Sequence, residues 1–196
     1  MPEKKRIPLI EFNSPVILSL FFISLILLVV NRITGGMINS LLACYFTRWS
    51  DPLMYPRLFS HVLAHQDLSH FTGNYLFILA VGPMVEEKYG SGNLAKMALI
   101  TAGATGLINV VFFSSGLVGA SGLLFMLIIL ASFTNIREGR LPLTVILVLS
   151  LYVGNEIIRG LFTSDNISQL SHIAGALCGA VFGFDFHGIR LRRDSR

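Results

Sequence analysis

Charge is what this sequence has least of. Only 13% of its 196 residues are Asp, Glu, Lys or Arg, against 53% hydrophobic, and the mean hydropathy is +0.69. A soluble domain of this size could not cover its surface with so few charges, so most of that surface must face lipid. Cysteine is scarcer still, with two residues. Cys44 lies in a loop after the first apolar run and Cys178 inside the last. Those different depths argue against a disulfide, and no redox or metal motif is formed. The net charge of +4 does not point to nucleic acid, because the basic residues sit at the ends of apolar runs and not among aromatics on a polar face. The length leaves room for one compact domain.

What is present in abundance is apolar helix. About 20 mostly apolar residues cross a hydrocarbon core, and six stretches qualify: 14–33, 67–86, 93–113, 119–136, 141–160 and 168–187. The expectation is therefore an all-α polytopic bundle of six transmembrane helices over 14–187, with a short tail at 1–13 and a basic tail at 188–196. Residues 34–66 contain Gly35, Gly36, Pro52 and Pro56 and are too broken to span. They read as a large folded loop in the interface. Eleven of the fifteen lysines and arginines fall on the side of the termini. That bias puts both termini in the cytoplasm and the large loop outside, and the plasma membrane is the expected location. A cleaved signal peptide is the competing reading of the first run, but no small-x-small site follows Val30.

Polar side chains inside spans are costly and mark candidate sites. His70, Asn74, Asn109, Ser121, Glu156 and His172 all fall toward the outward ends of their helices, roughly 4–10 Å deep at 1.5 Å per residue. Ser121 sits in Gly119-Ala-Ser-Gly122 at a helix start, where free N–H groups suit an oxyanion. The competing reading is a capping serine at a loop-to-helix junction. His172 heads a strip with Gly175, Gly179 and Gly183 that would draw the last helix against the fourth. It could serve Ser121 as general base, or be a histidine satisfied by a backbone carbonyl. His70 and Asn74, at i and i+4, could donate to an oxyanion or merely tie helices together. Glu156 is most simply paired with Arg159, so no acid is placed behind His172 and a dyad is the economical reading. Phe125 could hold the imidazole by stacking, or be a core residue. His61-Val-Leu-Ala-His65 has metal-site spacing, but Val62 stands where a metalloprotease needs glutamate. No metal and no cofactor is expected.

These residues resemble a known family. The run from Arg57 through His61, His65 and His70 to Asn74, the stretch Val85–Gly92 containing Glu86, Gly119-Ala-Ser-Gly122, and His172-Ile-Ala-Gly175 are similar to the motifs of rhomboid intramembrane serine proteases. The resemblance implies a nucleophile at Ser121 and a general base at His172. It implies an oxyanion hole of His70, Asn74 and the Ser121 N–H, and structural roles for Arg57, His61, His65, Glu86, Gly175 and Gly179. It further implies substrates that are single-span membrane proteins, cut near the outer end of a helix, with span 5 and the 161–167 loop opening to admit them. Pro56-Arg57 departs from the Trp-Arg pair of many members. Two other classes compete: a non-catalytic membrane chaperone on the same fold, and a small transporter. The transporter is disfavoured because the polar cluster does not continue to the other side. The sequence is silent on oligomeric state.

Overall fold

The structure, a computed structural model, describes residues 11–134 and 166–193, with five isolated helical positions between 143 and 151; in the last helix, side chains are described over 169–185. The expected span at 141–160, with Glu156 and Arg159, lies essentially outside the described residues. Within them the chain is helical, without strands. In order come α1 (Pro15–Ile33), α2 (Met37–Leu42), α3 (Met54–Ser60), a single 3₁₀ turn (His61–Leu63), α4 (Leu68–Tyr89), α5 (Ser91–Phe112), α6 (Ser121–Phe133) and α7 (Asn166–Arg193). Three of these, α1, α4 and α5, are each long and apolar enough to cross a membrane. The large loop thus holds two short helices that hydropathy alone did not reveal. The last helix runs to Arg193, past the expected end at 187.

Helix α6 is the centre of the bundle. Every residue from Gly122 to Leu127 is buried, so the helix is apolar all round because it is surrounded all round. Its 13 residues span about 20 Å, short of a hydrocarbon core of about 30 Å. Its start is shut in by protein: Gly119, Ala120 and Gly122 are buried and Ser121 is half-buried. The irregular backbone leading to it is exposed over 114–116 and largely buried over 117–120, where it is hydrogen-bonded to protein. Leu117 and Cys44 exchange both backbone bonds, at 2.9 and 3.0 Å. The Asn109 amide, fully buried on α5, donates to Cys44 O at 2.8 Å and Ser115 O at 3.0 Å. Asn109, a site candidate by depth, is a brace for this loop.

The peripheral helix α1 contrasts with α6. Only Ile17, Ser24 and Asn31 are buried on it, one residue in seven, a narrow stripe against α4. Two polar devices fix that stripe. Ser14 makes no side-chain cap bond. In its place the buried Glu86 carboxylate on α4 accepts from Val16 N–H at 2.9 Å and Ile17 N–H at 3.0 Å. An anion at a helix N-terminus satisfies orphan donors and opposes the dipole. Further along, the Tyr75 hydroxyl donates to Leu20 O at 2.9 Å and lies 2.7 Å from Ser24 Oγ.

Candidate active site

Helix α4 opens with Asp67 as its N-cap, whose carboxylate accepts from His70 N–H at 2.8 Å. That cap sets the first turn and aims His70, with Asn74 one turn on, at the loop before α6. There Gly119 adopts φ +119°, a conformation that L side chains avoid. A Cβ at Gly119 would lie 2.6 Å from His70 Cε1 and 3.6 Å from Asn74 Nδ2. Backbone conformation and space both demand glycine. The Gly119 N–H donates to His61 O at 2.9 Å, so the 3₁₀ turn holds the strand of loop that delivers Ser121. The Asn74 amide nitrogen is buried and makes no hydrogen bond among the described residues.

On the other side, α7 lies on α6 at backbone contact. A Cβ on Gly175 would collide with the Gly122 carbonyl, and one on Gly179 would lie 2.6 Å from Met126 O. Glycines four apart make that approach possible. It also brings Ser171 O to 3.6 Å from where a Gly122 Cβ would be. The His172 ring stacks on Phe125 with centroids 4.4 Å apart and planes 8° apart. Phe125 is four residues from Ser121 and shares its face of α6. The imidazole is thereby held flat on the turn that begins with Ser121, while His70 lies within electrostatic reach of His172.

The structure thus gathers His70, Asn74, Gly119, Ser121, Gly122, Phe125, His172 and Gly175 around the enclosed start of α6. The other motif residues are elsewhere. His61 Nε2 lies 3.2 Å from Ala102 O and 3.4 Å from Thr105 Oγ1. His65 packs its ring on His70, Phe71 and Tyr75 at 5.2–5.6 Å between centroids. The two rings turn to different partners, and among the described residues no three His, Cys, Asp or Glu side chains form a metal site. Burial drives both imidazoles down to about 4, so they are neutral at physiological pH. Arg57 donates through Nε to Leu41 O at 3.0 Å and lies 4.5 Å over the Tyr45 ring. It braces the large loop without needing a tryptophan beside it.

Several buried polar groups near the site were not singled out from sequence. Ser171 and Gln169 precede His172 on α7 and are 2% and 8% exposed. Thr105 of α5 fits under Gly122, its Cγ2 3.0 Å from a Cβ there. Ser171 and Gln169 carry the signal that marked His172, a polar residue next to an apolar run.

A helical membrane protein with an enclosed, glycine-lined polar site at the start of a central helix is the class these features define. The rhomboid domain matches residues 52–188, and the chain belongs to the rhomboid family. It is 32% identical over 139 residues to Rhomboid-related protein 1 of Caenorhabditis elegans, a match covering 65% of this chain. The chain spans 39% of that relative's length.

Proposed function

We propose that the protein is an intramembrane serine endopeptidase working through a Ser121–His172 dyad. The observation that carries this reading is the pairing of two things at the start of α6: an imidazole stacked on Phe125 on the Ser121 face, and a buried, unpaired Asn74 amide donor beside Gly119. A buried donor without an acceptor calls for a ligand. An oxyanion is the ligand that a serine nucleophile would generate there.

The chemistry follows. Ser121 Oγ attacks the scissile carbonyl carbon as its proton passes to the His172 imidazole. The carbonyl oxygen becomes an oxyanion facing His70, Asn74 and the Ser121 N–H. Collapse breaks the C–N bond, and the imidazolium returns its proton to the departing amine, leaving an acyl-enzyme on Ser121. Water, deprotonated by His172, hydrolyses that ester. The same reading carries six spans in all, both termini in the cytoplasm, residence in the plasma membrane and single-span membrane proteins as substrates.

Purified protein mixed with a transmembrane reporter should lose cleavage on Ser121→Ala or His172→Ala, by about 10³-fold or more. Full activity in either variant overturns the dyad. A non-catalytic chaperone on this fold would bind client helices, yet its Ser121 would not react with a fluorophosphonate.

A further inference from the structure

A cleft of about 770 Å³ opens between the last turn of α1, the Gly35-Gly36 turn and the first turn of α4. It lies outside the gathered site, on the face where α1 meets α4. Arg32 and Asp67 are the charged residues lining it. Arg32 makes no hydrogen bond or ion pair among the described residues. Asp67 gives Oδ1 to the His70 N–H and leaves its other oxygen open. Asn31 also lines the cleft and is only 7% exposed. Its Oδ1 accepts from Asn39 N–H at 2.9 Å, and its amide nitrogen donates to nothing among the described residues. That bond fixes the amide at the cleft wall, with its nitrogen a donor available to whatever enters.

The apolar part of the lining points to what that partner is. Val29 on α1 and Leu68 on α4 line the cleft at 50% and 64% exposure. Beneath them, exposed Ile26 and Leu76 continue down the two helices. In a membrane protein such a surface runs beside acyl chains, and the charges at its upper end sit at headgroup level. We propose that this cleft seats one phospholipid whose headgroup carries both a phosphate and a primary ammonium, of the phosphatidylethanolamine type. Arg32 and the Asn31 amide, on the α1 side of the cleft, receive the phosphate. The free Asp67 oxygen receives the ammonium, which has three N–H donors to offer. A choline headgroup has none and would want an aromatic cage, and among the described residues no aromatic lines this cleft. A purely anionic headgroup brings no cation to offset Asp67.

The test uses the full chain, purified in detergent and titrated with short-chain lipids under native mass spectrometry. Ethanolamine lipid should bind about tenfold more tightly than choline or glycerol lipid, and inorganic phosphate should not displace it. Arg32→Gln should weaken ethanolamine lipid by about tenfold. Asp67→Asn, which keeps a good helix cap, should erase the preference over choline. Equal affinity for the ethanolamine and choline lipids, preference for the glycerol lipid, or displacement by phosphate would each overturn the assignment. Val29→Trp, which fills the cleft from its lipid side, should abolish binding; retained binding there would put the lipid elsewhere.

Discussion

The α6–α7 seam and the α1–α4 seam join helices in opposite ways. Between α6 and α7 the contact is backbone on backbone, with Gly175 and Gly179 against Gly122 and Met126. Between α1 and α4 it is side-chain mediated, through Ile17 against Gly82, the Glu86 carboxylate and the Tyr75 hydroxyl. With lipid on the outside, the hydrophobic effect drives neither association, so close packing and hydrogen bonds must. The first seam is backbone on backbone at the end that carries His172. The second keeps adjustable parts and leaves a cleft at its end. In the proposed dyad, rigidity is concentrated where the Ser121 hydroxyl and the His172 imidazole would have to keep register.

The comparison can be broken at its tight side first. Gly175→Ala puts a methyl group into the Gly122 carbonyl, with backbone on both sides. Overpacking of this kind costs about 1–3 kcal/mol. Because the displaced helix carries His172, reporter cleavage should fall by about 10²-fold or more. Gly183→Ala meets the buried Phe133 ring and not backbone, three turns from His172, and should keep more activity than Gly175→Ala. Equal losses in the two variants would remove the distinction.

The looser seam should respond in stability more than in activity. Glu86→Gln keeps the shape but removes the anion capping α1, costing about 1–3 kcal/mol in unfolding by denaturant while cleavage by the folded fraction stays close to wild type. A selective loss of turnover would mean that α1 reaches the site.

A smaller effect is expected in acid. His61 and His65 have folded values near 4, below the usual 6.5, so the unfolded chain takes up protons first as pH falls. Stability from their burial is complete above about 6.5 and is lost progressively down to about 4. Thermal melting should be flat near neutrality and decline through that window. His65→Gln should flatten the decline in part, and an unchanged profile would contradict the burial argument.

Much of this was legible in the sequence for physical reasons. Apolar run length fixes where helices lie, and glycines four apart announced the α6–α7 contact. The stacking of Phe125 on His172 was legible from their spacing along the chain and depth, but the hydrogen-bond partners of most buried polar groups were not. Asn109 looked like a site residue by depth, yet it braces Cys44 and Ser115 across chain separations that no local pattern encodes. Glu86 caps a helix that starts some 70 residues earlier. Periodicity also could not foresee that Gly119 and Ala120 stay outside α6, because that depends on His70 filling the space where a Cβ would be.

The central claim is that Ser121 is a nucleophile activated by His172. Its most direct test is fluorophosphonate labelling of the purified protein, with the adduct located by mass spectrometry. The account predicts one adduct on Ser121, absent in Ser121→Ala and strongly slowed in His172→Ala. A folded wild-type protein that stays unlabelled at Ser121, or labels equally well without His172, would contradict it.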